Sequence, residues 1–182
     1  NGITQVAASA GYEVLMVDIK QEFVDRGMAT IQKSLSKLVA KERMSQFDAD
    51  ETIARITTTT NRNDCADVDL VVEAVPEILD LKTSIFSELD EICKPECILA
   101  SNTSSISIST IANSTSRPDK VIGMHFMNPV PIMKLVEIIN GDQTSEATNS
   151  AVVEAAEKMG KTALSCNDSP GFVSNRILCP ML

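Results

Sequence analysis

The sequence predicts an α/β fold in which helices cover both faces of a doubly wound, mostly parallel sheet. Three apolar runs, 13–18, 68–75 and 97–100, lack polar alternation, which is typical of strands buried on both faces. Segments with helical spacing separate these runs, for example Phe23, Met28, Ile31 and Leu35 in 21–41. Strands that alternate with helices favour parallel pairing, so these observations together predict the α/β class.

The remaining elements follow from local signals. Gly11 and Gly160 mark the ends of two predicted helices, and Asp48 or Asp50 is the expected N-cap of a third. The predicted helices are 2–10, 21–41, 48–56, 79–92, 108–113 and 146–159, with a last helix opened by 169–172. The predicted strands are 13–18, 56–60, 68–75, 97–100, 121–125, 134–139 and 162–165.

Composition narrows the class of protein. The 182 residues suffice for one ordinary domain, and 43% hydrophobic with 23% charged residues is a globular composition. A net charge of −9 argues against nucleic acid or an anionic membrane as partner, because both require basic surfaces. No apolar run approaches the roughly 20 residues of a membrane span.

The cysteines and the chain ends carry further information. The five cysteines have no metal-ligand spacing, and an odd number of them suggests reduced thiols in an intracellular protein. They are Cys65, Cys93, Cys97, Cys166 and Cys179. Because 1–8 resembles the middle of an element and Pro180 follows a new apolar segment, we expect a fragment of a longer chain, with any targeting peptide upstream.

His125, the single histidine, is the strongest candidate for chemistry. It stands near the end of a predicted strand, the proline-rich turn 128–131 follows, and a second strand then supplies Glu137. This order suits a general base with an orienting carboxylate. A packed histidine beside a surface glutamate explains the same pattern, so both interpretations stay open on these residues alone.

The placement of other polar residues favours a functional histidine. Asp18, Glu73, Glu77, the cluster 101–105 and His125 all fall where predicted strands end, and open α/β sheets bind ligands at that edge. Asp18 fits the acid that accepts hydrogen bonds from an adenosine ribose, which favours NAD over NADP. A solvated aspartate is the plain alternative, since the glycine-rich turn of a dinucleotide site is represented only by Gly2.

Several motifs, taken together, resemble the L-3-hydroxyacyl-CoA dehydrogenase family, which includes 3-hydroxybutyryl-CoA dehydrogenases. The matching segments run through essentially the whole chain. They are Asn1–Ala8, Val17–Asp18, Asp69–Val75, Ala100–Ser105, His125–Pro131, Met133–Glu137 and Asp168–Arg176. The resemblance implies a Rossmann-type NAD-binding domain over 1–175, lacking its first strand, with 176–182 as the start of a helical dimerisation domain.

The resemblance also implies roles for single residues. His125 corresponds to the catalytic base and Glu137 to its partner, while Ser104 binds the substrate oxygen and Asn175 helps to hold the acyl group. The residues implied to contact NAD are Gly2, Asp18, Glu77, Lys82, Ser104 and Asn128. Among these, Lys82 is the weakest candidate, because a lysine on an exposed helix face is usually only solvated.

The implied activity is the NAD-dependent interconversion of (S)-3-hydroxyacyl-CoA and 3-ketoacyl-CoA, in fatty acid β-oxidation or butanoate metabolism. The implied full-length protein is a homodimer of the mitochondrial matrix or bacterial cytoplasm. Competing hypotheses are a non-catalytic structural or nucleotide-binding relative of the same fold, and an inactive fragment. A short-chain dehydrogenase would need a lysine four residues after Tyr12, where Met16 stands, and a serine hydrolase would need an absent Gly-x-Ser-x-Gly turn.

Overall fold

The computed structural model describes residues 1–178 and 181, and it divides the chain into two compact units. The first unit comprises residues 1–64 with 128–133, and the second comprises 65–127 with the described residues from 134 onward. Residues 179, 180 and 182 lie outside the described residues. They include Cys179 and part of the segment 176–182, which was predicted to begin the helical domain.

The first unit contains a two-stranded parallel sheet and three helices. Its elements are α1 (Gly2–Ser9), β1 (Val14–Val17), α2 (Gln21–Ala40), α3 (Gln46–Ala54) and β2 (Ile56–Thr59). Val14 pairs with Ile56 and Val17 with Thr59, so both strands end at the same edge. The buried core residues are Met16, Val24, Ile31, Leu35 and Ala49.

Helix boundaries in this unit follow the expected signals, with one correction. Gly11 follows α1 with a φ of 90°, the left-handed conformation that glycine adopts without steric cost. The N-cap of α3 is Ser45, whose hydroxyl accepts from the backbone N–H of Asp48 at 3.0 Å. The expectation of Asp48 or Asp50 was wrong, because Asp48 is instead the third helical residue, where its carboxylate accepts from Ser45 Oγ at 2.7 Å.

The second unit is built on a five-stranded sheet in the order β3-β4-β5-β6-β7. Its strands are β3 (Leu70–Glu73), β4 (Ile98–Ser101), β5 (Val121–Phe126), β6 (Leu135–Asn140) and β7 (Thr162–Asn167). Its helices are α4 (Leu79–Ile92), α5 (Ile108–Ala112), α6 (Glu146–Lys158) and α7 (Ser174–Leu178). Short 3₁₀ helices, at Arg62–Cys65 and Pro118–Lys120, were not predicted.

Parallel pairing joins all neighbours in this sheet except β5 and β6, which run antiparallel. The predicted α/β class with a mostly parallel sheet is therefore confirmed. Strand β3 is shorter than the predicted run 68–75, since Ala74 and Val75 have already left the sheet. Every residue of β5 is buried, which explains its continuous apolar sequence before His125. No helix among residues 1–178 is long and apolar enough to cross a membrane.

We expect Gly123→Ala to destabilise the second unit by about 1–3 kcal/mol, the usual cost of overpacking a core. A Cβ at this position in β5 would lie 2.8 Å from Cβ of Ile139 and 3.0 Å from Cδ1 of Ile108. Urea unfolding followed by circular dichroism measures the effect. Gly27→Ala in α2 is the matched control, because the nearest atom to the added Cβ is the flexible end of Met16, at 3.2 Å, and Cβ of Asn1 lies at an ordinary contact distance of 3.8 Å. Equal stability of the two variants would contradict the packing argument.

Candidate active site

His125 and Glu137 face each other across the one antiparallel strand pair of the five-stranded sheet. The register of β5 and β6 sets them directly opposite, and Nδ1 of His125 lies 2.8 Å from Oε2 of Glu137. Their exposed fractions are 6% and 0%, so the contact is shielded from water. Because an ionised carboxylate can only accept, Nδ1 carries the ring proton and Nε2 is left as the acceptor.

Glu137 is held in its ionised form by donors on its other oxygen. Oε1 accepts from the backbone N–H groups of Val173 at 3.0 Å and Ser174 at 2.7 Å. Burial alone would raise the pKa of Glu137, but the hydrogen bonds from His125, Ser174 and Val173 outweigh it, and the pKa lies below its ordinary value. The carboxylate can therefore orient the imidazole and stabilise an imidazolium.

Ser104 and Asn175 complete the group that the sequence predicted around His125. Oγ of Ser104 lies 3.0 Å from Nε2 of His125, and Nδ2 of Asn175 donates to the backbone oxygen of Ser104 at 3.1 Å. Ser174, the chain neighbour of Asn175, donates to Glu137, so hydrogen bonds and one peptide link connect all four predicted catalytic residues in a closed circuit. Within this circuit, Nε2 of His125 is a titratable acceptor that faces the hydroxyl of Ser104, an arrangement suited to proton transfer.

Two residues that the sequence interpretation missed also shape this site. Phe172 is 2% exposed, and its ring lies 5.9 Å from the His125 imidazole, centroid to centroid. Oδ1 of Asn102 accepts from the backbone N–H of Phe126 at 2.8 Å, joining the loop after β4 to the end of β5. Both stand inside motifs quoted for the resemblance, and an apolar ring after Pro170-Gly171 was the available signal for Phe172.

Glu77 organises the loop that carries Ser104. Its Oε1 accepts from the backbone N–H groups of Ser104 at 2.9 Å and Ser105 at 3.0 Å, and from the hydroxyls of Thr103 and Ser105. Burial opposes ionisation, yet the hydrogen bonds from Thr103, Ser105 and Ser104 and the charge of Lys82 prevail, and the pKa falls to about 2. Glu77 is therefore a carboxylate at any pH near neutrality.

Lys82 is not on an exposed helix face, so that expectation was wrong. Its exposed fraction is 0%, and Nζ lies 2.8 Å from Oε1 of Glu73 and 3.4 Å from Oε2 of Glu77. Helical position alone did not reveal this burial, because the acid that pairs with Lys82 comes from the end of β3. Glu73 itself was noted only as a polar strand end, and its partners could not be seen in the sequence.

The first unit contains the other predicted cofactor residues. Gly2 opens α1, whose N-cap residue, Asn1, makes no side-chain capping bond, and an eight-residue helix offers its first-turn N–H groups to an anion. Asp18 follows β1 at the carboxyl edge and is exposed, with Oδ1 accepting from its neighbour Ile19 N–H at 2.7 Å. Asn128 is exposed as well. These residue types fit an adenine dinucleotide, with an anion site at the helix and an acid for a ribose.

Among residues 1–178 no group of three or more His, Cys, Asp or Glu side chains could hold a metal ion.

The chain is similar in sequence and in structure to several 3-hydroxybutyryl-CoA dehydrogenases. The chain is 58% identical over 182 residues to the "Probable 3-hydroxybutyryl-CoA dehydrogenase" of Deinococcus radiodurans, covering all of this chain and 65% of that protein. It is 47% identical to the 3-hydroxybutyryl-CoA dehydrogenase of Clostridioides difficile, with the same coverage. The crystal structure of (S)-3-hydroxybutyryl-CoA dehydrogenase from Ralstonia eutropha superimposes with a TM-score of 0.97 at 48% identity, over 99% of this chain and 64% of that one.

The chain thus spans slightly less than two thirds of the length of these relatives. Residues 1–169 match the family described as "3-hydroxyacyl-CoA dehydrogenase, NAD binding domain". With this match over most of its length, the chain belongs to the 3-hydroxyacyl-CoA dehydrogenase family.

Proposed function

We propose that the full-length protein interconverts (S)-3-hydroxyacyl-CoA and 3-ketoacyl-CoA thioesters with NAD⁺ and NADH. The observation that carries this proposal is the shielded contact of 2.8 Å between His125 and Glu137, with Ser104 Oγ 3.0 Å from the opposite ring nitrogen. Names of relatives with long alignments support the same reaction. Oxidation of a secondary alcohol requires a proton acceptor for the hydroxyl, and neutral Nε2 of His125 suits that requirement.

The proton follows a short route. In the oxidation direction the substrate hydroxyl gives its proton to Nε2 of His125, while Nδ1–H stays bonded to Glu137. The imidazolium that forms is stabilised by the buried carboxylate, as in other acid–histidine pairs. In the reduction direction the same nitrogen returns the proton to the ketone oxygen. The hydroxyl of Ser104 and the amide of Asn175 are neutral donors that fix the reacting oxygen without adding charge.

NAD, when bound, supplies the hydride acceptor, and NADH supplies the hydride in reverse. By resemblance, Gly2 and Asp18 would hold the adenosine half, and the residues proposed near the nicotinamide half are Glu77, Lys82, Ser104 and Asn128. The ammonium of Lys82 is already shared by Glu73, Val75 and Glu77, which supports an indirect contribution by this residue.

The proposal also covers the substrate class, the oligomeric state and the location of the full-length protein. An acyl-CoA thioester is the proposed substrate, in β-oxidation or butanoate metabolism, and a homodimer is the proposed state of the full-length protein. The bacterial cytoplasm and the mitochondrial matrix are the proposed locations. Neither nucleic acid nor membrane is a proposed partner, given the net charge of −9.

We expect His125→Gln to lower kcat for NADH oxidation with acetoacetyl-CoA by roughly 10²–10⁴-fold, since a positioned acid–base group contributes that much. Loss of NADH absorbance by the full-length protein measures turnover, and a fluorescence titration measures NADH binding, which should persist. The melting temperature is the control for folding. Wild-type protein that binds NADH but does not turn over would favour the non-catalytic nucleotide-binding relative.

We expect Glu137→Gln to reduce kcat by a similar factor, about 10²–10⁴-fold. The amide of a glutamine would donate to Nδ1, which moves the ring proton to Nε2 and removes the acceptor for the substrate hydroxyl. Gln side chains can still accept from Val173 and Ser174, so the fold should persist. Activity near the wild-type level would contradict the assigned proton route.

The same variant has a pH signature. The pKa of Glu137 is lower in the folded protein than its ordinary value of 4.5, so its carboxylate adds stability that is complete above that pH. This stability is lost as the pH falls through the lowered pKa. The difference in melting temperature between wild type and Glu137→Gln should therefore shrink as the pH falls below 4.5. Exposed Glu96→Gln controls for the loss of one negative charge.

We expect Asp18→Asn to weaken NADH binding by roughly 10–100-fold, because a hydrogen bond to a charged group contributes about 1.5–3 kcal/mol. NADPH should lose less, since removal of the negative charge also removes repulsion of its 2′-phosphate. Titration of both nucleotides measures the ratio of their affinities. Asp25→Asn, on exposed surface of α2, is the matched control, and an unchanged ratio in Asp18→Asn would argue against the ribose contact.

A further inference from the structure

Glu73 is a buried carboxylate with partners on both oxygens. Its side chain is 2% exposed and stands at the end of β3. Oε1 accepts from Nζ of Lys82 at 2.8 Å and from the backbone N–H of Val75 at 2.6 Å. Oε2 accepts from the hydroxyl of Ser101 at 2.7 Å. It therefore joins the ends of two neighbouring strands to helix α4.

Lys82 extends this network toward the Ser104 loop. The ammonium of Lys82 donates to Glu73 Oε1 and to the backbone oxygen of Val75 at 3.2 Å, and it forms an ion pair with Glu77 Oε2 at 3.4 Å. One oxygen of Glu77 thus faces Lys82, and the other accepts from the backbone N–H groups of Ser104 and Ser105. Ser101 Oγ, held by Glu73, accepts in turn from Thr103 N–H at 3.3 Å.

Both branches from Glu73 end on the loop that carries Ser104. One runs through Lys82 and Glu77, and the other through Ser101 and Thr103. The hydroxyl of Ser104 lies 3.0 Å from Nε2 of His125, so a shift of the loop changes the distance between the two groups that meet the substrate oxygen. A displacement of about 1 Å at such a site can cost on the order of 10²-fold in rate.

We propose that Glu73 is a positioning residue, which sets Ser104 against His125 through Lys82, Glu77 and Ser101. The proposal rests on the proposed dehydrogenase function and assigns Glu73 no contact with substrate or cofactor. The alternative is that the Glu73–Lys82 pair serves only the fold. Buried ion pairs can often be replaced by apolar residues without loss of stability, so an apolar replacement can separate the positioning role from the structural role.

A double-mutant cycle tests whether Glu73 acts through Ser104. In the full-length protein, Glu73→Gln should lower kcat by roughly 10–100-fold with little change in KM for NADH. In a Ser104→Ala background the same substitution should have little further effect, since the group that it positions is gone. An equal fall in kcat in both backgrounds overturns the proposal.

A second variant separates positioning from folding. Glu73→Leu with Lys82→Met keeps a similar side-chain volume but removes the contacts that Glu73 and Lys82 make with Ser101 and Glu77, the two residues that bond to the Ser104 loop. We expect its melting temperature to stay close to that of the wild type. Hydrogen exchange by mass spectrometry should nevertheless show faster exchange in the peptide that contains 102–106, without any ligand bound. Unchanged exchange in that peptide overturns the proposal, whatever the activity.

The control is another shielded ion pair of the second unit. Asp90 Oδ1 lies 2.6 Å from Arg117 Nε, and both side chains are 11% exposed. Asp90→Asn should lower the melting temperature while leaving kcat and exchange in 102–106 unchanged. If the wild type itself fails to reduce acetoacetyl-CoA, the proposed function fails, and the exchange result still decides whether Glu73 orders the loop.

Discussion

The buried carboxylate of Glu137 is the group on which the rest of the site depends. A charge removed from water is strongly unfavourable unless donors surround it. Glu137 is 0% exposed and receives three such donors, from His125 Nδ1, Val173 N–H and Ser174 N–H. The donors come from two distant parts of the chain, strand β5 and the residues at the start of α7, so satisfying one charge fixes the histidine, its tautomer and the start of α7 together.

A second carboxylate gives the opposite side of the site its shape. The carboxylate of Glu77 accepts hydrogen bonds from the N–H groups of Ser104 and Ser105, as a bound anion would. The loop is therefore ordered by a side chain of the protein itself. Asn175 then links the two sides, because its amide donates to the backbone oxygen of Ser104 at 3.1 Å. Ser104 is therefore held through its backbone and His125 through Nδ1, which leaves the other imidazole nitrogen and the serine hydroxyl for the reaction.

Much of this arrangement could be predicted, and the reasons for success and failure are physical. A strand, a proline-rich turn and a strand must bring Glu137 back beside His125, so the contact between these two side chains could be predicted from the sequence. The N-cap Ser45 was missed because three acids within 48–51 gave competing signals. The burial of Lys82 could not be predicted from its helix, since it depends on Glu73, nine residues earlier, and on how β3 and α4 pack.

The chain must also reverse after β7 in order to reach Glu137. Asn167 is level with Asn140 in the register, whereas Glu137 lies three residues back along β6, a distance of about 10 Å. Residues 168–172 cover that distance in the opposite direction, with left-handed φ values of 76° at Gly171 and 50° at Phe172. A Cβ at 171 would lie 3.0 Å from the backbone nitrogen of Arg176, so only glycine fits there.

The unfavourable φ of Phe172 is accompanied by burial of its ring beside His125, and the next two residues donate their N–H groups to the carboxylate of Glu137. The Pro-Gly-Phe sequence therefore helps to keep Glu137 ionised. It acts through the backbone, since none of its side chains donates a hydrogen bond to that carboxylate.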